Sequence, residues 1–117
     1  MRLQYSELTN GIRLIKLHGA LDALGTSRVE VEFVRCCAGD NVCVLVDLSK
    51  VNYISSIGLP LLINSAKSVA RHGGKLALLK PQRAVENILE LTGIPLIIPT
   101  YSDLESATEG LTGLPNA

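Results

Sequence analysis

The sequence predicts an α/β fold in which a mixed, mostly parallel sheet of four to five strands packs against about four helices. Short apolar runs alternate with segments of helical periodicity in the order β-β-α-β-α-β-α-β-α. Strands that alternate with helices imply right-handed crossovers and therefore parallel pairing. The chain has 117 residues, of which 47% are hydrophobic, which is enough apolar material for one core. We therefore expect a single domain over residues 1–117, with an ordered core at about 2–108.

Two strands open the chain. Residues 3–8 have weak strand character, and Thr9-Asn10-Gly11 is typical of a hairpin turn, because Asn-Gly readily adopts positive φ angles. Apolar side chains alternate through residues 12–18, which indicates a half-buried strand that ends at Gly19.

The first helix and the third strand follow. Ser27-Arg28-Val29-Glu30 matches a capping box and predicts a helix start at Ser27, with the end at Gly39-Asp40-Asn41. The buried face of this helix is predicted from side chains at helical spacing, namely Val29, Phe33, Cys36 and Cys37. Residues 42–46 are continuously apolar, as in a strand buried on both faces, and the chain is expected to leave this strand at Asp47-Leu48-Ser49.

The second half of the chain continues the alternation. Apolar side chains at helical spacing between Leu59 and Ala70 predict a helix that ends at His72-Gly73-Gly74, and residues 75–79 predict a strand. The remaining predicted elements are a helix opened by Lys80-Pro81 and stopped at Gly93, an edge strand at 94–99, a short helix after the capping box Ser102-Asp103-Leu104-Glu105, and a loose tail at 110–117.

Composition argues against several classes of function. The 11 Lys and Arg residues balance the 11 Asp and Glu residues, and aromatic residues make up 3%, so we expect no nucleic-acid partner. No apolar run approaches the roughly 18–20 residues of a membrane span, and no signal region opens the chain, so we predict a cytoplasmic protein. Nucleophile-elbow, P-loop, zinc-protease and dinucleotide-binding motifs are all missing, and we expect neither enzyme activity nor a cofactor.

The cysteines and histidines predict no metal site. Cys36, Cys37 and Cys43 form no CxxC motif, and His18 and His72 lie far apart in the sequence. We interpret the cysteines as reduced thiols that act as small hydrophobes. A thiol enzyme using Cys36 or Cys37 is a further hypothesis, but both residues lie late in a helix, where the negative dipole end raises a thiol pKa.

Pro60 indicates where the second helix begins. A proline deep inside a helix removes a hydrogen bond and clashes with the preceding turn, at a cost of about 3 kcal/mol, so Pro60 must lie near the first turn. The helix is therefore predicted to begin at about residues 56–57, with Ser56 at or beside the N-cap. The Ser56 hydroxyl there either caps the helix or accepts a phosphate, whose charge the free amides and the helix dipole would stabilise.

The residues around Ser56 resemble the STAS domain family, which includes the bacterial anti-sigma factor antagonists. The matching motifs are Gly19-Ala20-Leu21-Asp22, Asp47-Leu48-Ser49, Tyr53-Ile54-Ser55-Ser56-Ile57-Gly58-Leu59, Gly73-Gly74-Lys75-Leu76 and Leu89-Glu90-Leu91-Thr92-Gly93. The resemblance covers residues 2–108 and implies a STAS-like fold. It also implies that the unmodified protein binds an anti-sigma factor serine kinase and so frees a sigma factor, until the kinase phosphorylates one serine and binding is lost.

The resemblance also implies the site residues. By position in the motif, the phosphorylated serine is Ser56, and the partner-binding residues are Asp22, Ser55, Ser56, Ile57, Gly58 and Leu59. The kinase would bind ATP and Mg²⁺, and a serine phosphatase would restore the unmodified form. Three residues depart from the family pattern: Ser55 stands in place of an aspartate, Ile57 in place of a small residue, and Pro60 in place of a commoner glycine. Ser55 is therefore the alternative phosphate acceptor.

The same departures leave a second function open. A STAS-type scaffold or ligand-binding module that is never phosphorylated is the alternative to the phosphorylation switch. Replacing Ser56 by aspartate separates the two, because binding of the partner collapses only if a charge at this position matters. Residues 96–98, predicted as part of an edge strand, are the candidate contact for a weak homodimer.

Overall fold

The computed structural model describes residues 1–113, and these residues form five strands and four helices. The strands are β1 (Arg2–Glu7), β2 (Arg13–Leu21), β3 (Cys43–Ile54), β4 (Lys75–Leu79) and β5 (Thr100–Tyr101). The helices are α1 (Ala23–Cys36), α2 (Gly58–Arg71), α3 (Arg83–Leu91) and α4 (Leu104–Thr112). The predicted order of elements is confirmed, with one 3₁₀ turn, Ile94–Leu96, added between α3 and β5.

The strands form one mixed sheet in the order β1-β2-β3-β4-β5. β1 pairs with β2 in the antiparallel sense, and the other pairs are parallel. Each parallel connection moves one strand along the sheet, so right-handed crossovers place α1, α2 and α3 on the same face. Phe33, Leu62 and Leu89 from these three helices belong to the larger apolar core, whereas Ala107 and Leu111 of α4 belong to a smaller apolar cluster.

The two central strands are longer than the sequence pattern predicts. β2 continues through Gly19, and both Leu14 and Ile15 are buried, so the expectation of a half-buried strand ending at Gly19 is wrong. β3 likewise continues through Asp47-Leu48-Ser49, where its pairing with β2 shifts register. Asp47 Oδ1 accepts a hydrogen bond from the Ser49 backbone N–H at 2.8 Å within this irregular step. A bulge therefore absorbs the polar residues without ending the strand.

Two helices begin at an aspartate rather than at the predicted serine. α1 begins at Ala23, because Asp22 Oδ1 accepts from the Gly25 backbone N–H at 2.8 Å and caps the helix, so the predicted start at Ser27 is wrong. Asp103 caps α4 in the same way, its Oδ1 accepting from the Ser106 backbone N–H at 2.7 Å. By contrast, α3 begins later than predicted, because Pro81 precedes the N-cap residue Gln82 instead of lying in the first turn.

The predicted strand after α3 exists and lies at the sheet edge, but it is not formed by residues 94–99. Residues 94–96 form the 3₁₀ turn, and only Thr100–Tyr101 pair with β4. Leu96 is 93% exposed, yet residues 96–98 present no strand edge for self-association. Of the predicted tail, residues 110–112 belong to α4, and residues 114–117 lie outside the described residues.

None of the helices formed by residues 1–113 combines the length and the apolar character needed to cross a lipid bilayer.

Candidate functional site

The site lies where β2 and β3 end side by side. Leu21 and Ile54 are the last residues of these parallel strands, and they pair with each other in the sheet. Asp22 follows the first strand and Ser55 follows the second. Because the carboxyl ends of parallel strands meet at one edge of the sheet, the turn that carries Ser55 and Ser56 lies beside the start of α1.

Ser55 ties this turn to the end of β2. Its backbone N–H and its hydroxyl both donate hydrogen bonds to the carbonyl oxygen of Leu21, each at 3.0 Å. The same hydroxyl oxygen accepts from the backbone N–H of Ile57 at 3.2 Å and of Gly58 at 3.4 Å. A hydroxyl has one donor and two acceptor positions, so the hydrogen-bonding capacity of the Ser55 side chain is fully used.

The turn also satisfies the N-terminus of α2. The first four N–H groups of a helix lack partners within the helix, and here they would belong to Ile57, Gly58, Leu59 and Pro60. The Ser55 hydroxyl accepts from the first two, the Ser55 carbonyl accepts from Gly58 at 3.0 Å and Leu59 at 3.1 Å, and Pro60 has no N–H. The expectation of free amides at this helix end is therefore wrong.

Ser56, unlike Ser55, takes no part in the hydrogen bonds that hold this turn. Its side chain is exposed, and among residues 1–113 neither its hydroxyl nor its backbone N–H makes a hydrogen bond within the chain. It precedes Ile57, the N-cap residue of α2. The interpretation of Ser56 as merely a helix cap is wrong, because Ser55 performs that role. The Ser56 hydroxyl remains available to a reagent or a partner.

Of the other predicted partner-binding residues, two are exposed and two are buried. Asp22 is exposed and Ile57 is 55% exposed, whereas Gly58 and Leu59 are buried. A Cβ atom on Gly58 would lie 2.6 Å from the carbonyl oxygen of Leu21, closer than real contacts allow. Glycine is therefore what lets α2 begin directly against the end of β2.

Two exposed side chains at this end of the sheet were missed by sequence reasoning. Leu24, in the first turn of α1, is 63% exposed, and Tyr53, near the end of β3, is 50% exposed. With Ile57 they add exposed apolar side chains at the end of the sheet that also carries the Ser56 hydroxyl and the Asp22 carboxylate. Mixed apolar and polar surface of this kind is typical of protein interfaces. Tyr53 lies inside the family-like motif, which is a sequence signal for it. Leu24 has no such signal, because the predicted cap, Ser27, lies after it, whereas the observed cap, Asp22, lies before it.

A groove of about 520 Å³ runs between α1 and α2 below the turn. Ile57 and Pro60 line it, together with Val34, Cys37 and Ser65. Burial, and secondarily the adjacent Cys36, raises the pKa of the Cys37 thiol to about 12, and burial also raises the pKa of Cys36. Both thiols are protonated at neutral pH, which argues against a nucleophilic cysteine.

Metal binding has no support in the described part of the chain. Residues 1–113 contain no group of three or more histidine, cysteine, aspartate or glutamate side chains arranged to hold a metal ion. The chemistry that the site offers is thus one exposed hydroxyl, one exposed carboxylate and an apolar surface.

The chain is similar to known proteins in sequence and in fold. The STAS domain family model matches residues 6–107. A candidate anti-sigma factor antagonist of Thermotoga maritima is 38% identical over 71 residues, which cover 61% of this chain and 62% of that protein. The aligned region thus spans less than two thirds of the relative's length.

Solved structures share the fold at lower identity. An anti-sigma factor antagonist from Mycobacterium paratuberculosis superposes with a TM-score of 0.84 at 19% identity, covering 94% of this chain and 92% of that one. The Bacillus cell fate determinant SpoIIAA in its phosphorylated form gives a TM-score of 0.67 at 16% identity, covering 93% and 98%.

Proposed function

Because the chain belongs to the STAS domain family, and its motif serine is exposed, we propose that it is an anti-sigma factor antagonist switched by phosphorylation of Ser56. The unmodified protein binds an anti-sigma factor that is itself a serine kinase. Phosphorylation weakens this binding, and a serine phosphatase reverses it. ATP and Mg²⁺ belong to the kinase, since this chain supplies the acceptor hydroxyl and the docking surface.

The observation that carries the proposal is the contrast between the two adjacent serines. The Ser55 hydroxyl makes three hydrogen bonds within the chain, whereas the Ser56 hydroxyl is exposed. A kinase must bring an acceptor oxygen in line with the γ-phosphate, so an exposed hydroxyl that breaks no internal bond is the better acceptor. The proposed phosphate acceptor is therefore Ser56 rather than Ser55.

The docking surface that we propose is formed by Asp22, Ser56 and Ile57. Gly58 and Leu59 contribute from beneath, because both are buried, and Gly58 lets the turn lie directly against the end of β2. A phosphate at the centre of this surface brings about −1.5 to −2 charges into a contact that also contains a carboxylate. Like charges and lost hydration then weaken the complex without unfolding the domain.

Phosphate transfer to Ser56 can be tested directly. The purified protein is incubated with each anti-sigma factor serine kinase of its source organism and ATP, and phosphopeptides are mapped by mass spectrometry. We expect phosphate on Ser56, none after Ser56→Ala, and normal transfer after Ser6→Ala, which removes an exposed serine at the other end of the sheet. Modification of Ser55 alone would overturn the assignment.

The groove between α1 and α2 favours one second candidate function. Its volume of about 520 Å³ falls within the range of small-molecule sites, and Ile57 and Pro60 place it next to the docking surface. A STAS module that binds a ligand or partner without phosphorylation would use this groove. Under that alternative, no kinase modifies Ser56, and Ser56→Asp leaves partner binding unchanged.

A further inference from the structure

We infer that Ser55 is a positioning residue for the switch: its hydroxyl occupies helix amides that would otherwise bind a phosphate on Ser56, so the phosphate stays directed outward. The inference rests on the proposed function, since it concerns a phosphate at this position. It adds a role for a residue that departs from the family pattern and that is not itself the acceptor.

Hydrogen-bond accounting at the start of α2 supports this role. Phosphates bind helix N-termini because several backbone N–H groups there have no other partner. At α2 the N–H groups of Ile57 and Gly58 donate to the Ser55 hydroxyl, that of Leu59 donates to the Ser55 carbonyl, and Pro60 has none. A phosphate on Ser56 therefore finds no unpaired amide in the helix, and only the Ser56 N–H remains.

The Ser55 hydroxyl is also held in place from its other side. Its donated bond to the Leu21 carbonyl, at 3.0 Å, points its lone pairs toward Ile57 and Gly58. A carboxylate at this position could accept from the amides but could not donate to Leu21. Serine thus provides an acceptor for the helix without adding a negative charge beside the phosphate.

An outward phosphate makes the switch stronger and easier to reverse. A phosphate bound by its own helix has part of its charge compensated, so it repels a partner less and offers fewer free oxygens to a phosphatase. Because the Ser55 hydroxyl accepts from the helix amides, the full charge of the phosphate on Ser56 faces the docking surface. The role of Ser55 is therefore to keep the charge of Ser56 uncompensated by its own chain.

The test measures the second ionisation of phosphoserine at position 56. Phosphoserine is incorporated there during translation, so no kinase is needed and failure of the proposed function does not affect the result. The second pKa of the phosphate is read from the ³¹P chemical shift against pH. In the wild-type background we expect the ordinary value of about 6. In Ser55→Ala the freed Ile57 amide binds the dianion, and the pKa falls by about 0.5 or more.

A conservative variant separates positioning from general stability. Ser55→Thr keeps a hydroxyl that can accept from the Ile57 and Gly58 amides. We therefore expect the phosphate in this variant to have the same second pKa as in the wild type. Identical pKa values in the wild type and Ser55→Ala would overturn the inference, as would a threonine variant that behaves like alanine. A merely structural role for Ser55 would change the melting temperature of the protein but not the ionisation of the phosphate.

A second measurement uses only the wild-type sequence and applies even if Ser55→Ala does not fold. The amide proton of Ile57 is followed by NMR through the phosphate titration. We expect little movement, because this amide donates to Ser55. A large downfield shift that tracks phosphate ionisation would show capture by the helix and overturn the inference.

Discussion

The Ser55 hydroxyl donates to the Leu21 carbonyl at 3.0 Å, and this bond joins the turn after β3 to the last residue of β2. These residues lie 34 positions apart in the sequence. Ser56 directly follows this bonded serine, and Asp22, the cap of α1, directly follows Leu21. One side chain thus connects the two loops of the candidate site.

A negative charge at position 56 is predicted to weaken partner binding strongly. Ser56→Asp places a carboxylate in the proposed docking surface, to which we also assign Asp22, and we expect the affinity for the proposed anti-sigma factor partner to fall about a hundredfold or more. Ser6→Asp adds the same charge at the other end of the sheet and is expected to bind normally. Isothermal titration calorimetry measures both variants. Equal affinities would favour the unphosphorylated scaffold.

The two adjacent serines are predicted to differ in their effect on stability. Ser55→Ala removes the acceptor of two helix amides and the donor to Leu21, so we expect a loss of about 1–2 kcal/mol in the free energy of unfolding. Ser56→Ala removes no internal bond and should change it by less than about 0.5 kcal/mol. Urea denaturation compares them, and similar losses would contradict the assignment of the cap to Ser55.

Gly58→Ala is predicted to destabilise the protein. Its Cβ would lie 2.6 Å from the Leu21 carbonyl oxygen and 2.9 Å from the Leu21 Cβ, so backbone must shift, at a cost of about 1–3 kcal/mol. Helix propensity alone predicts the opposite sign, since alanine normally stabilises a helix relative to glycine. A neutral or stabilising result in urea denaturation would therefore refute the close approach of α2 to β2.

Cys37 is predicted to make the protein less stable at high pH. Burial raises the pKa of its thiol from 9.0 to about 12, so above pH 9 the unfolded chain loses a proton that the folded chain retains. The stability contributed by the protonated thiol is complete below pH 9 and is lost as pH rises through 12. Cys37→Ser has no such titration. The free energy of unfolding of the wild type minus that of Cys37→Ser should decline as pH rises from 9 to about 12. A difference that stays constant would contradict this prediction.

Asp103 is predicted to have the opposite dependence on pH. Hydrogen bonds from the Ser106 backbone and hydroxyl lower its pKa below 3.8, so its ionised form stabilises the folded state above that pH. This stability is lost as pH falls through the folded-state value. Asp103→Ala should flatten the acid limb of thermal stability between about pH 5 and pH 2. An acid limb of the same slope in Asp103→Ala and in the wild type would contradict this prediction.

Periodicity predicted the elements more reliably than their ends. The helical spacing predicted a buried face of α1, and of its four side chains Val29, Phe33 and Cys37 are buried, whereas Cys36 is half-buried. The start of that helix was missed because Ser27 offers a complete capping box, while the Asp22 side chain reaches the Gly25 amide first. Competing caps a few residues apart cannot be ranked without the backbone path out of β2.

The 3₁₀ turn at Ile94–Leu96 is another feature that the local sequence does not predict. Residues 94–98 have the apolar composition of a strand, but Gly93 adopts a positive φ of 76° and turns the chain before Ile94. Ile94 and Ile98 are buried in the core, so their apolar character serves packing rather than pairing. A short apolar run does not by itself distinguish these outcomes.

The sequence by itself determined the order of elements, the buried helix faces and the position of Ser56 before α2, because these follow from local periodicity and from the constraint that Pro60 imposes. Only the tertiary structure decided which serine is bonded and which is exposed. That choice depends on the carbonyl of Leu21, which the parallel pairing of β2 and β3 brings beside Ser55. Hydrogen bonds across strands have no local signature in sequence, and here they separate the structural serine from the proposed phosphate acceptor.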